Sequence, residues 1–313
     1  MREFIKKSLS RTRCDPLLLW LRLKGIVRYD GCHKTYVRDV KGNIMHLNAR
    51  DWGISRVLAR DGIRERESVE ALYRFVQPDM TMFDLGANIG FYVLLEAQIA
   101  SKGSGRIIAI EPSPENLRLL KLNVSTNNYE DRVTVVHGAV TTRSGKTRLR
   151  LSNASNCHQL EEISIDKRNG NVIDVPAYTF SDMLTLTNTT IEQLDFLRMD
   201  IEGAEYLLLP DIIERIAKKD RFLMFIEFHP SEGDLKTHKM ILKSLESMGY
   251  SCLTVAKEYA NGHVIERRYC PNTSINDLYS DEFFLQKGGC EVFLRKGSSF
   301  VFGKSHNAVV PTP

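Results

Sequence analysis

The turn Asp84-Leu85-Gly86-Ala87-Asn88-Ile89-Gly90-Phe91-Tyr92 constrains this 313-residue chain more than any other stretch. Apolar Met82 and Phe83 run into an acid, two glycines follow four positions apart, and an apolar segment comes next. That order reads as a strand turning tightly into a helix. Gly86 and Gly90 let the backbone approach a ligand where a Cβ would collide, and Asn88 is placed to cap the helix that follows. A pyrophosphate at such a turn calls for G-x-G-x-x-G. Asn88 occupies the place of the middle glycine, so the spacing argues against a dehydrogenase and for a ligand without phosphates.

The next strand tests that reading. Arg106 to Ile110 is a β-type run ending in Glu111, 25 residues after Gly86, where an acid can accept hydrogen bonds from both hydroxyls of a ribose. Pro112, Ser113 and Pro114 then stop and turn the chain, with Ser113 at the N-cap and Pro114 at the first helical position. A ribose-binding acid beside a turn that lacks the pyrophosphate pattern fits S-adenosylmethionine. After the third strand, Val133 to His137, the small residues Gly138 and Ala139 either make room for an adenine or form a plain tight turn. The candidate cofactor residues are Asp84, Gly86, Ala87, Asn88, Gly90, Glu111, Pro112, Ser113, Gly138, Ala139 and Asp200.

The stretches Phe83 to Tyr92, Ala109 to Asn116, Met199-Asp200-Ile201-Glu202-Gly203-Ala204-Glu205 and Ile226-Glu227-Phe228-His229-Pro230 resemble the FkbM-type S-adenosylmethionine-dependent methyltransferases, over roughly residues 51 to 249. The third stretch is the most family-specific, since the first two recur across enzymes that use this cofactor. Arg198-Met199 departs from the family, which usually has lysine and an aliphatic residue there. The resemblance implies a doubly wound, mostly parallel, seven-stranded Rossmann-like sheet and O-methylation of a hydroxyl on a sugar, glycolipid or other small metabolite. It also implies that the helix 64 to 76 packs against the cofactor site, where Arg64, Glu65 and Glu67 either reach the methionine end of the cofactor or, as the reading preferred from residue type, sit as solvated surface charge.

The length accommodates one large α/β domain with an appendage. We expect an N-terminal basic helical segment and hairpin over 1–63, the methyltransferase domain over 64–296 and a disordered tail over 297–313. Residues 1–28 carry eight basic side chains against two acidic ones, although the whole chain has a net charge of only +4, too small to argue for nucleic acid. The basic segment reads as a packing helix, with contact to anionic lipid or to a partner as the second option. Six scattered cysteines without a C-x-x-C pair favour reduced thiols and a cytoplasmic protein, and no metal ligand set is assigned. The longest apolar run, Pro16 to Leu21, is far too short to span a bilayer. The oligomeric state stays open.

Along the chain, Thr35 to Val40 and Ile44 to Leu47 form a hairpin around Lys41-Gly42-Asn43. Further strands are expected at 146–151, 172–178, 194–199, 221–228, 250–256 and 290–295. Helices are expected at 114–127, 179–186, 203–218 with a bend or break at Pro210, and 235–248. The polar segment 152–171 reads as a lid over the acceptor.

In a parallel sheet the ligand binds beyond the carboxyl ends of the strands. Methyl transfer from a sulfonium is an in-line displacement, so alignment supplies much of the acceleration and a base serves only to remove the acceptor's proton. The candidate catalytic residues are Asp200, Glu202, Glu227 and His229, with His229 the best matched base by the ordinary histidine pKa of about 6.5. Asp200 can instead hold the cofactor's amino group, and Glu202 and Glu205 can serve a helix N-terminus. An N-methyltransferase of nucleic acid or protein is the alternative, but the Asn/Asp-Pro-Pro-aromatic motif expected for it is missing after the fourth strand. A non-catalytic module that binds the same cofactor is a further alternative.

Overall fold

The computed structural model describes residues 16–152, 154–161, 163, 171–229, 235–258, 264–273, 275–279 and 290–297. In chain order the elements begin with α1 (Pro16–Leu23), β1 (Arg28–Asp30), β2 (Thr35–Val40), β3 (Asn43–Asn48), α2 (Ile54–Asp61), α3 (Arg66–Phe75), β4 (Thr81–Leu85), α4 (Phe91–Ala100), β5 (Arg106–Glu111), α5 (Pro114–Thr126) and β6 (Val133–His137). They continue with β7 (Ala139–Val140), β8 (Gly145–Arg150), β9 (Gln159–Leu160), β10 (Val172–Tyr178), α6 (Phe180–Leu186), β11 (Leu194–Met199) and α7 (Glu205–Ile216). The chain closes with β12 (Phe222–Phe228), α8 (Leu235–Ser247), β13 (Tyr250–Glu258), β14 (Val264–Thr273), a 3-10 turn (Ile275–Tyr279) and β15 (Cys290–Lys296).

The main sheet has the order β14-β13-β15-β12-β11-β4-β5-β6. Strands β12, β11, β4, β5 and β6 are parallel, and β15 enters antiparallel between β12 and β13. This is the expected doubly wound, Rossmann-like arrangement with one strand more than the seven expected, because β14 pairs with the outer edge of β13. The order reverses at β4, so the ends of β4, β5 and β11 lie side by side where such sheets bind ligands.

Alternate residues of the parallel strands bury opposite faces, which explains their near-continuous apolar sequence. Met82, Ile107, Phe196 and Phe225 pack with α3, α4 and α5, while Phe83, Leu85, Ile110, Leu197 and Ile226 pack with α6, α7 and α8. Helix α4 is buried nearly all round, because a third layer covers its outer side. Val27, Tyr36, Val40, Met45, Leu47, Ile54 and Leu58 of the N-terminal region belong to the same apolar cluster as α4. Polar contacts pin this layer down: Asn123 of α5 accepts from the His46 backbone amide at 2.6 Å and donates to the Ile89 carbonyl at 2.8 Å.

Several elements differ from the sequence-based expectation. The hairpin gains β1, too short to signal itself, and the irregular-looking segment 51–63 contains α2, whose Ile54, Leu58 and Ala59 turn inward. The segment around 146–178 forms a separate four-stranded sheet, β7-β10-β8-β9. Helix α1 starts at Pro16, buries Leu18 and Leu21 and leaves Leu19, Trp20 and Leu23 exposed. Among the described residues no helix is long and apolar enough to cross a membrane. The expected elements within 1–15, the middle of the 152–171 segment and residues 298–313 lie outside the described residues.

Helix α7 begins at Glu205 rather than Gly203 and runs through Pro210 without breaking. Its apolar face, Leu208, Leu209, Ile212, Ile213 and Ile216, is buried against the sheet and outweighs the lost backbone bond. Pro210 is exposed, so the substitution Pro210→Ala restores a helix bond without touching the core. We expect it to raise the unfolding free energy by about 1–3 kcal/mol in urea denaturation, the scale of the proline penalty inside a helix.

Candidate active site

The glycine turn is shaped first by its neighbours in the fold. Gly86 has φ +86°, and a Cβ there would lie 1.9 Å from the Asp200 carbonyl oxygen, so only glycine lets the ends of β4 and β11 meet. Asp200 accordingly donates its backbone N–H to the Leu85 carbonyl at 3.0 Å. The turn's own amides are all committed. Gly86 and Ala87 both donate to the Ile110 carbonyl at 3.0 Å, Asn88 donates to Glu111 Oε2 at 2.8 Å, Ile89 to Asn88 Oδ1 at 2.7 Å and Gly90 to the Ala87 carbonyl at 2.9 Å. Residues 86–90 thus leave no backbone amide free for a pyrophosphate, which agrees with the missing middle glycine. Asn88 does not cap α4 as expected; Gly90 is the N-cap, and Asn88, at φ +51°, spans the turn instead.

Glu111 leaves the end of β5 and is buried, with Oε1 accepting from the Ser113 amide at 2.8 Å. Burial pushes its carboxyl up to about 7, against the amides of Ser113 and Asn88 and the Asn116 side chain, which pull it down. Ser113 takes the N-cap position before Pro114, but its side chain makes no capping bond. Above the turn, the Ser155 carbonyl accepts from Asn88 Nδ2 at 3.0 Å and Asn116 Nδ2 at 3.1 Å, and the Ser155 amide and hydroxyl donate to Asp51 at 2.9 and 2.8 Å. The stretch 154–161 of the expected lid is thus tied over the turn, through Ser155, by an acid from the N-terminal layer.

These elements line an open cleft whose empty space, including solvent at its mouth, is about 630 Å³. Of the residues expected at the cofactor, Gly86, Asn88, Glu111, Pro112, Gly138, Ala139 and Asp200 line it, together with apolar Leu85, Ile110, Val140, Leu149 and Leu160. Asp84, Ala87, Gly90 and Ser113 do not; Ala87 lines a smaller adjoining recess of about 290 Å³ with Arg64, Tyr92, Arg198 and Asp200. The cleft is concave, largely apolar and carries a few convergent polar groups, as small-molecule sites do.

Asp84 lies beneath the floor rather than in it. Its Oδ1 accepts from Arg198 Nη1 at 2.9 Å, while Arg198 Nη2 reaches Asp200 Oδ2 at 2.9 Å. The guanidinium also stacks over the Tyr92 ring, 4.1 Å from its centroid. Arginine at the family's usual lysine position therefore ties two strand ends together. Glu96 of α4, which sequence reasoning passed over, is fully buried nearby, and burial with the Asp84 carboxylate holds it protonated well above the ordinary range. Arg64 and Glu65 are not solvated surface charges: Glu65 pairs with Arg64 and accepts from the Tyr92 hydroxyl at 2.7 Å, with only 4% of its side chain exposed. Glu67 is exposed.

The four candidate catalytic residues come together behind the cleft. Asp200 and Glu202 line it; Glu202 holds a left-handed backbone at φ +54°. His229 Nε2 lies 3.5 Å from both Glu202 Oε2 and Glu227 Oε1. Glu205 does serve the helix start, accepting from the Ile201 and Gly203 amides, but it also holds His229 Nδ1 at 3.0 Å. His229 does not keep the ordinary value: burial would lower it, yet the carboxylates of Glu205, Glu227 and Glu202 raise it well above. Burial pushes Glu202 up to about 8 against the pull of His229.

The family profile of the Methyltransferase FkbM domain matches residues 84–252, more than half of the chain. The chain belongs to the FkbM methyltransferase domain family. A ribosomal protein L11 methyltransferase of Chloroflexus aurantiacus is 32% identical over 75 residues, which cover 24% of this chain and 22% of that protein. The chain thus spans about a fifth of the curated relative that it matches. Similar solved structures include a putative transferase of Pyrococcus horikoshii (TM-score 0.46, 16% identity, 85% of this chain and 72% of that one). Another is an FkbM methyltransferase of Methylobacillus flagellatus (TM-score 0.40, 18% identity, 69% and 44%).

Because Asp84 is buried without other described partners than Arg198, removing the guanidinium from this FkbM domain leaves an uncompensated acid in the core. We expect Arg198→Met to lose about 3–5 kcal/mol of stability, read as a lower denaturant midpoint with an unchanged slope.

Proposed function

We propose that this FkbM methyltransferase transfers its methyl group to a hydroxyl of a sugar, glycolipid or other small metabolite. The observation that carries the reading is the wall of the cleft formed by Asp200 and Glu202, which backs directly onto Glu227 and His229. That wall offers hydrogen-bond and proton acceptors, as removal of a hydroxyl proton requires. Among the four, Glu202 is the best placed acceptor, since its side chain reaches the cleft while its strained backbone is held by the fold around it.

The residues fit the cofactor. Glu111 would hold the ribose, Gly138, Ala139, Ile110 and Leu160 would flank the adenine, and Asp200 with Arg64 at the smaller recess would hold the amino and carboxylate ends of the methionine. The bound cofactor supplies a methyl group on a sulfonium, a good leaving group in an in-line displacement. The protein's own part is to bury the cleft, align the acceptor oxygen and take its proton at Glu202.

A charge-assisted bond is worth roughly 1.5–3 kcal/mol, so Glu111→Gln should weaken S-adenosylmethionine by about 10- to 150-fold in calorimetry. The pH dependence has a definite sign. A ribose needs Glu111 as the ionised, acceptor-only form, and this carboxyl titrates at about 7, so affinity is full above that pH and declines below it. The decline should approach about tenfold per pH unit, and it should vanish in Glu111→Gln; a flat profile in the parent would refute the ribose assignment.

Glu202→Gln keeps the shape of the cleft and removes the proton acceptor. Turnover with a saturating hydroxyl acceptor should drop about 10²- to 10⁴-fold, with cofactor affinity nearly unchanged. Full turnover in this variant would assign the proton elsewhere.

A further inference from the structure

Proton removal needs one acceptor, yet the ends of β11 and β12 assemble four. Their arrangement is specific. Glu205 is fully buried; its Oε1 fixes His229 Nδ1 at 3.0 Å, and its Oε2 has no partner among the described residues. With Nδ1 bonded to Glu205, His229 Nε2 faces Glu202 and Glu227, each 3.5 Å away, and a cation binding there displaces the Nε2 proton. One ligand atom from each of Asp200, Glu227 and His229 lies within 4.8 Å of the others. The 3.5 Å between His229 Nε2 and Glu227 Oε1 is long for a hydrogen bond, but donor atoms that share one cation at about 2.0–2.2 Å stand roughly 3.0–3.5 Å apart. A carboxylate behind the imidazole is also how metal-binding histidines are oriented. The nearby guanidinium groups are engaged: Arg64 pairs with Glu65, and Arg198 with Asp84 and one oxygen of Asp200.

We propose that Asp200, Glu227 and His229 bind a divalent first-row cation at the back of the cleft, with Glu205 as the positioning residue for the imidazole. One nitrogen and two carboxylates suit Mn²⁺ or a similar ion. The use of the cation rests on the proposed O-methylation, whereas its binding does not. In that reaction the acceptor's hydroxyl oxygen would join the cation as a further ligand, which acidifies it. Its proton passes to Glu202, the O–CH₃ bond forms as the S–CH₃ bond breaks, and S-adenosylhomocysteine leaves. Asp30, His33 and His46 also approach one another, but His33 is exposed and His46 Nδ1 is already bonded to Thr35 at 2.9 Å; this second cluster supplies the control.

The test uses the full chain, stripped with a chelator and titrated with Mn²⁺ while the free ion is followed by electron paramagnetic resonance. One equivalent should bind without cofactor or acceptor. His229→Ala and Glu227→Gln should each weaken binding at least tenfold, Glu205→Gln about 10- to 100-fold, and His33→Ala should leave it unchanged. Wild-type protein labelled with ¹⁵N-histidine gives an assignment that needs no variant to fold: bound Mn²⁺ should couple to one histidine nitrogen. No saturable binding at millimolar Mn²⁺, no nitrogen coupling, coupling to two nitrogens, or loss of binding in His33→Ala would each overturn the proposal. Mn²⁺ bound as described with no hydroxyl acceptor ever methylated would leave the cation site standing and refute the proposed reaction. Full turnover by metal-free protein would leave the reaction standing and overturn the cation's use in it.

Discussion

The ion pair that Arg198 makes with Asp84 and Asp200 sits under everything else in this site. Asp84 and Arg198 are directly paired in the register of β4 and β11, and Phe225 follows on β12, so the three point to the same face of the sheet. Across that row the guanidinium is boxed by Tyr92 from above and flanked by Phe225, whose ring stacks on Phe293 with centroids 4.2 Å apart. Two charges taken out of water cost several kcal/mol each unless geometry and further hydrogen bonds repay it. Here the second carboxylate, Asp200, and the Tyr92 face do so. The result is that Asp200, the residue facing the ligand, is anchored from below.

From this anchor the cleft is built by shared atoms. The Asp200 carbonyl crowds Gly86, its amide holds Leu85, and the Ile110 carbonyl takes the two following turn amides. Glu111 and Asn88 then lock the turn to the next strand, and Asn123 locks it to the N-terminal layer. Because residues 86–90 spend their amides inward, they offer the cleft side chains and shape rather than a backbone anion cradle.

Much of this was legible in the sequence. The parallel strands announced themselves by continuous apolar runs, and the acid ending β5 followed from its distance to Gly86. What hid was whatever depends on which groups meet in space. Period and spacing could not distinguish Asp84, which faces Arg198 under the sheet, from Asp200, which faces the cleft, since both are acids ending strands. Arg64 and Glu65 looked like surface charge because residue type is all that a short polar stretch offers; their burial comes from α3 and the Tyr92 hydroxyl above them. Glu96 lies in an otherwise apolar helix, and that oddity was the available signal for it. The short elements β1, α2 and β7 carry too few residues for a periodicity to show.

The span that matches the family profile, 84–252, leaves out side chains that complete the cleft. Asp51, ahead of it, holds Ser155 and through it the segment over the glycine turn. Arg64, also ahead of it and paired with Glu65, lines the smaller recess, and β15, beyond it, inserts between β12 and β13 and so fixes the strand that leads into Glu227 and His229. The matched span therefore carries the strand ends at the cleft, whereas part of the surrounding wall is contributed from outside it. Since a pocket selects by the groups that are left paired or unpaired when a substrate enters, the side chains that bear on such selection at this cleft include Ile54 and Arg64 of the N-terminal layer and Ser155, Asn156 and His158 of the 154–161 segment beside Asp200 and Glu202.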